Sequence, residues 1–375
     1  SSTGPHLYHH ETGNRGTDQG ANPMKHSVCI VGAGIGAEHL AGYAALPDRY
    51  RVHAVCDLDE ARGRSLAARC PDTGFTADLD AVLSDPAIDI IDICLPPHLH
   101  FDTCLTALDA GKKVICEKPL VSSLKEADAL AARIDATNGF VAPVFQYRFG
   151  LGMAQLQALI AAGLSGRAFA GTLETHWDRQ ADYYSVPWRG TWAGEQGGAI
   201  LGHAIHIHDL LSAALGPVAQ VYADLATRVN DIEVEDCAAL SLRMECGAVV
   251  TSSVTLGSAE NISRMRLMFE GFSVESDHAP YSPAQRTWHF KARAPITQDQ
   301  INDVLATVKS PPSGYAGLFA AIADALEGKD GKHVSFADGR RSLELVTAIY
   351  ASARNQRPEQ LPISAGHPLY EGWQP

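Results

Sequence analysis

The chain has 375 residues, 46% hydrophobic and 19% charged, a globular composition with enough apolar material for two cores and no need of disulfide staples. A formal net charge of −13 and a pI near 5.6 argue against nucleic-acid partners, which call for a basic stripe. No apolar run approaches the roughly 20 residues of a membrane span, and the cysteines form no CxxC pair, so Cys29, Cys56, Cys94 and Cys116 read as buried free thiols of a reducing, cytoplasmic compartment.

Residues 1–23 are polar, rich in Gly, His and Thr, and lack the apolar core of a signal peptide. They are predicted to be a flexible arm or a cloning remnant ahead of Met24. From residue 26 to 117, short Val- and Ile-rich runs at 28–31, 52–56, 88–94 and 113–116 alternate with helical periodicity at 37–46, 59–69 and 100–110, and a further helical stretch follows at 124–136. Strands apolar on both faces belong to a parallel sheet covered by helices on both sides. Residues 24–146 are therefore predicted to form a doubly wound α/β domain of the Rossmann type.

Beyond residue 147 the pattern changes to a helix at 152–162 and then to partly alternating runs at 219–227, 237–244, 248–256 and 265–270. Successive strands without intervening helices predict an α+β domain with a large, mostly antiparallel open sheet. A helical pair at 315–326 and 338–354 closes the chain. Residues 147–375 are assigned to substrate binding and oligomerisation, with the 248–256 run as the candidate contact because it is hard to leave in water.

The first strand runs into Gly32-Ala33-Gly34-Ile35-Gly36-Ala37 and directly on into a helix. Gly32 permits the tight turn, Gly34 and Ile35 bring the backbone to a pyrophosphate, and the small Gly36 and Ala37 allow close helix-to-strand packing. The helix N-terminus supplies free N–H groups for the phosphates. Asp57 ends the second strand, placed to accept hydrogen bonds from the ribose hydroxyls. A 2′-phosphate about 4 Å away would meet a repulsion of about 4 kcal/mol, so NAD is expected over NADP, with Arg62 and Arg64 near enough to soften the preference.

Two further motifs lie at strand carboxyl ends, where ligands of open α/β sheets bind: Leu95-Pro96-Pro97-His98-Leu99-His100 and Glu117-Lys118-Pro119-Leu120. With GAGIGAEH, EKPL, QYRF at 146–149 and GGAILGHAIHIHD at 197–209, the sequence resembles the glucose-fructose oxidoreductase, inositol dehydrogenase and rhizopine-catabolism family, from about residue 24 to residue 362. The resemblance implies an NAD(P)-dependent dehydrogenase acting on a CH–OH group of a sugar, inositol or related polyol, and a homo-oligomer, dimer or tetramer. It implies that Leu95, Pro96, His100, Glu117 and Lys118 join the glycine turn and Asp57 around the cofactor. It further implies that Lys118 bonds the reacting oxygen, that His206 transfers the proton, and that Arg148, Trp188, Arg189 and His203 belong to the substrate side. Elementary chemistry agrees, since a carbinol oxygen that gives up hydride must also lose a proton, and an ammonium steadies the charge developing there.

One position departs from the family pattern. An acidic residue is usual four positions before the histidine, and Gly202 stands there. If 204–215 is helical, His203 lies about 60° from His206 while His208 points nearly opposite. His203 or the substrate is then expected in the vacant space. The same geometry disfavours a metal site among the three histidines, because His208 cannot join the others. Upstream, Trp177-Asp178-Arg179, Tyr183-Tyr184 and Trp188-Arg189-Gly190-Thr191-Trp192 concentrate aromatic and guanidinium groups that suit either a carbohydrate or an oligomer contact. Two other functions stay open at this stage: an NAD-retaining glycosidase or lyase working by transient oxidation, and a non-catalytic dinucleotide-dependent sugar sensor.

Overall fold

The computed structural model describes residues 24–329 and 331–375, so the expected arm at 1–23 lies outside the described residues. The first half of the chain alternates β1 (His26–Val31), α1 (Gly36–Ala44), β2 (Tyr50–Cys56), α2 (Glu60–Ala67), β3 (Gly74–Thr76), α3 (Leu79–Ser84), β4 (Ile90–Ile93), α4 (His100–Asp109), β5 (Lys113–Cys116), α5 (Leu124–Thr137) and β6 (Val141–Pro143). These six strands form one parallel sheet in the order β3-β2-β1-β4-β5-β6. All four residues of β4 are buried and only the first residue of β1 is not, as a sheet covered on both faces demands. Local signals set the helix starts: Asp59 accepts from the Arg62 N–H ahead of α2, and Ser123 accepts from the Glu126 N–H ahead of α5.

The second half comprises α6 (Leu151–Ala161), β7 (Ala168–Asp178), α7 (Trp192–Glu195), α8 (Ile205–Leu215), β8 (Val218–Ala226), β9 (Cys237–Met244), β10 (Val249–Thr255), β11 (Gly257–Phe269), β12 (Phe272–Glu275), β13 (His289–Ala292), α9 (Gln298–Leu305), α10 (Gly314–Leu326), α11 (Phe336–Asn355) and β14 (Glu359–Gln360). Its eight-stranded sheet has the order β13-β12-β11-β7-β10-β9-β8-β14 and is antiparallel except where β7 and β10 run parallel. The sequence pattern does not predict β7, because its buried set of Gly171, Leu173, Thr175 and Trp177 mixes small and polar residues and hides the period of two.

Two expectations about this half need adjusting. In β10 the buried side is Val250, Ser252 and Val254, while Val249, Thr251 and Ser253 face outward, so two of the three outer residues carry hydroxyls and the face is less apolar than the run suggests. Second, α10 returns to the first domain. Tyr43 of α1 stacks on Phe319 with ring centroids 3.9 Å apart, Arg49 pairs with Asp324 at 2.7 Å, and the Tyr50 hydroxyl donates to the Phe319 carbonyl. Among the described residues no helix is long and apolar enough to cross a membrane.

Candidate active site

The carboxyl ends of β1, β4 and β5 face α8 and the stretch between β7 and α7 across a cleft of about 640 Å³. Its dinucleotide side begins at the turn after β1. Gly32 has φ of +106°, and a Cβ there would lie 2.5 Å from the Cys94 carbonyl oxygen, so only glycine fits. A Cβ on Gly34 would meet nothing within 4 Å, which leaves the backbone open to the cleft, and α1 starts without a side-chain cap. Gly36 does not line the cleft: its Cβ would come within 2.8 Å of Ile30, so its smallness serves helix-to-strand packing. An uncapped helix start above an open glycine backbone is the cradle a diphosphate needs.

Asp57 is buried. Its Oδ2 accepts from the Ala33 N–H at 2.8 Å and from Arg62, and its Oδ1 accepts from the Asp59 N–H. Burial pushes this carboxyl up, but those donors outweigh it and hold the pKa below the ordinary value. The carboxylate thus ties the glycine turn to the end of β2, while the half-exposed Arg62 covers it on the cleft side. Arg64 turns away to Glu60 and the Phe75 ring.

Behind the cleft lies a charged cluster that the sequence does not announce. The His39 ring, completely buried, sits 2.7 Å from both Asp92 and Glu117, and Tyr43 donates to the same Asp92 oxygen. Burial lowers the His39 pKa, yet Asp92 drives it well above the ordinary value, so the ring is an imidazolium between two anions. Glu117, pushed up by burial and down by His39, stays ionised and accepts the Lys118 N–H at 3.1 Å. His39, Asp92 and Cys94 are close enough to hold a metal ion, but the ring is already spent on two hydrogen bonds.

Lys118 reaches across the cleft and donates to the carbonyl of Gly202. Burial lowers its pKa, opposed by Glu117 and Glu195. Residues 200–204 form one wide π-type turn leading into α8. That turn and the first turn of the helix bring His203 and His206 to the cleft together, while His208 faces the sheet and bonds Ser252 at 2.8 Å. His206 stacks on Tyr147 with ring centroids 4.7 Å apart, and its Nδ1 is buried without a hydrogen-bond partner among the described residues. Burial, Lys118 and His203 hold its pKa well below the usual imidazole value. His203 is likewise held neutral by burial and by Lys118, Arg179 and Arg189, and its Nε2 meets the Tyr183 hydroxyl at 3.3 Å.

Of the residues singled out from the sequence, Gly32, Gly34, Ile35, Leu95, Pro96, Glu117, Lys118, Trp188, Arg189, His203 and His206 line this cleft. His100 does not. It is buried behind the wall, with its ring nitrogens 2.6 Å and 2.7 Å from the carbonyls of Pro119 and Leu95, and so braces the two strand-end loops together. Arg148 is also elsewhere, because it is drawn into a two-pronged pair with Asp209 at 2.7 and 2.6 Å and a second pair with Asp338, beside a separate cavity of about 210 Å³. Two further residues line the cleft: Tyr147, next to Arg148 in QYRF, and Glu195, which no periodicity or motif marks in the sequence. Glu195 enters the space at Gly202: its Oε1 lies 3.1 Å from where a Cβ would stand.

Two family models match this architecture, the oxidoreductase family NAD-binding Rossmann fold over residues 26–144 and the Gfo/Idh/MocA C-terminal domain over residues 153–275. The chain belongs to the Gfo/Idh/MocA family. Levoglucosan dehydrogenase of Pseudarthrobacter phenanthrenivorans is 31% identical over 218 residues, 55% of each chain. D-glucoside 3-dehydrogenase of Escherichia coli is 28% identical over 52% of this chain and 55% of that one. The matches thus span about half the length of these curated relatives. Among solved structures, the WlbA dehydrogenase of Chromobacterium violaceum in complex with NADH and UDP-GlcNAcA superposes with a TM-score of 0.79 at 27% identity, covering 91% of this chain and 97% of that one. The family model that matches the first domain is that of an NAD-binding Rossmann fold, and the glycine turn, the uncapped start of α1 and Asp57 are the residues here that could hold the dinucleotide.

Proposed function

We propose that this protein is an NAD-dependent dehydrogenase of a sugar or related polyol in which Lys118 and His206 handle the proton. One observation carries the reading: the Lys118 ammonium and the neutral His206 ring share the cleft that also contains Gly32 and Gly34 at one end and Trp177, Tyr183 and Trp188 at the other. A nicotinamide held in this cleft would supply the hydride exchange with a carbinol carbon. Lys118, held at the Gly202 carbonyl, donates toward the carbinol oxygen and stabilises charge on it. His206, kept neutral by burial and by the Lys118 ammonium, is in the form that accepts a proton. The aromatic faces offer C–H contacts to a sugar ring, and Arg179 and Arg189 offer donors to its oxygens. Asp57 favours an unphosphorylated ribose, so NAD is preferred over NADP, and the family likeness supports assembly into a homo-oligomer.

The test is production of NADH from NAD with a panel containing levoglucosan, D-glucosides and UDP-GlcNAcA. Lys118→Ala and His206→Asn are each expected to lower the rate by about 10²–10⁴-fold, the usual contribution of a positioned acid or base, while NADH still binds. Turnover of an aryl glycoside without net NADH would replace this reading with the transient-oxidation one.

A further inference from the structure

The wall between Lys118 and His206 contains a residue with no side chain. Gly202 gives its carbonyl to Lys118, and a Cβ built on it would meet a single atom within 4 Å, the Oε1 of Glu195. Glu195 comes from α7, outside both the β5 loop and α8, and its placement is built. The Thr191 side chain caps α7 by accepting the Gly194 N–H, and the Gly190 N–H donates to Glu195 Oε2 at 2.6 Å. Gly190 itself stands at φ of +75°, where a Cβ would lie 2.8 Å from Ile232. The second oxygen, Oε1, accepts no hydrogen bond from a protein group among the described residues, although the residue is only 4% exposed and lines the cleft. A buried carboxylate with one oxygen anchored and the other offered to a cavity has an electrostatic partner there.

Two anions bear on the buried Lys118, and they are not equivalent. Glu117 is 2.7 Å from the His39 imidazolium, so much of its charge is already answered. Glu195 has no ion pair within 4.0 Å among the described residues. The charged and titratable groups around it are Lys118 and Arg189 on the cleft side, Glu235 behind it, and the phenols of Tyr183 and Tyr184; burial pushes its own carboxyl above the ordinary value, opposed by the Gly190 N–H, Lys118 and Arg189.

We propose that Glu195 is a positioning residue of this cleft, whose free carboxylate oxygen supplies through space, across the gap at Gly202, the counter-charge that keeps the Lys118 ammonium protonated and aimed. The inference rests on the reading of Lys118 as the group that bonds the reacting oxygen. Without Glu195 the amine, desolvated and facing Arg189, loses its unneutralised anion. An opposite charge within about 4–6 Å moves a titration by about 1–3 pH units, and Glu195 is one of the two carboxylates that raise Lys118.

The test reads Lys118 directly, by competitive acylation of the full-length protein across pH with peptide mass spectrometry. Glu195→Gln is expected to lower the Lys118 midpoint by about 1–3 units, with NADH binding retained. The double variant Glu195→Ala/Gly202→Asp, which returns a carboxylate to the gap from the opposite wall, is expected to restore it. With any substrate the panel yields, kcat should fall in Glu195→Gln and recover in the double variant, with KM changed little. Should Glu195→Gln not fold, Glu195→Asp keeps the charge, withdraws it from the gap and is expected to give a midpoint below that of the wild type. An unmoved Lys118 midpoint in a folded variant overturns the proposal, as does a midpoint that falls and is not restored by the second carboxylate. A sugar panel that stays silent while the midpoint moves counts against the dehydrogenase reading and leaves the Lys118–Glu195 coupling standing.

Discussion

At the scale of single residues, Asp57 shows how one carboxylate is given two tasks. It holds the glycine turn through the Ala33 N–H and closes the end of β2 through the Asp59 N–H, and the remaining capacity of Oδ2 is occupied by an Arg62 that is more than half exposed. A ribose can displace such an arginine because the guanidinium is already more than half in water and the hydroxyls take over its hydrogen bonds to the carboxylate. Asp57→Asn retains part of the hydrogen bonding and removes the charge. Its NADH dissociation constant is expected to rise about 10-fold or more, for the loss of about 1.5–3 kcal/mol in charge-assisted bonds. Its affinity for NADPH should fall less, because Arg62 is then released to meet a phosphate. Fluorescence titration with both dinucleotides checks the point, and an unchanged NADH affinity would remove Asp57 from the ribose site.

At the scale of elements, the π-type turn and α8 sort three histidines between cleft and sheet, and they do so at an acid-sensitive cost. His203, His206 and His208 all have their pKa values lowered, His208 to about 4 by burial alone. A histidine whose folded value lies below its unfolded value of about 6.5 binds fewer protons when folded. Stability therefore falls as pH drops through the unfolded value toward the folded one. For His208 that window runs from about 6.5 down to about 4, and at pH 5 the loss is about 2 kcal/mol. Urea unfolding at pH 7 and pH 5 should show a smaller difference in His208→Gln than in the wild type.

The same helix explains Arg148. Its guanidinium joins the short turn at 146–148 to Asp209 of α8 and Asp338 of α11. Arg148→Ala strands a fully buried carboxylate and is expected to cost about 3–5 kcal/mol in unfolding while NADH still binds. A stable variant with lost substrate affinity would return Arg148 to the substrate side.

These elements also mark where the sequence was legible. The parallel strands, the glycine turn, Asp57, Lys118 and the helical sorting of His203, His206 and His208 all follow from local periodicity or short motifs, and each has its place in the structure. Arg148 misled because a motif locates a residue along the chain without saying which way its guanidinium is pulled. Asp92 and Glu195 carried no local signal, and the GAGIGAEH motif, which His39 ends, does not say what its ring meets. The His39 contacts span 78 and 53 residues and are created only by the packed chain, while Glu195 is anchored five residues back in a turn without periodicity.

At the scale of the whole molecule, a chain of net charge −13 would repel an anionic ligand at long range, yet the substrate end of its cleft is cationic. Lys118, Arg179 and Arg189 meet there against Glu195, with Glu117 behind Lys118 already engaged by His39. Neither arginine is paired with a carboxylate among the described residues. Arg179 donates to the Asp178 carbonyl and the Tyr281 hydroxyl, and Arg189 donates to the Tyr183 carbonyl while its Nε is buried without a partner. A buried guanidinium nitrogen left unsatisfied is costly, and an acceptor on the ligand would relieve it. The expected consequence is selectivity for sugars bearing an anionic group. In calorimetry with NADH present, a uronate should bind about 10-fold or more tightly than the matching neutral sugar, as one charge-assisted bond of about 1.5–3 kcal/mol would give. Arg189→Gln should erase most of that difference, and added salt should reduce it only modestly, since the partners are shielded from water. Equal binding of the two sugars, or a preference that survives in Arg189→Gln, would mean that the guanidinium serves the Tyr183 loop and not the ligand.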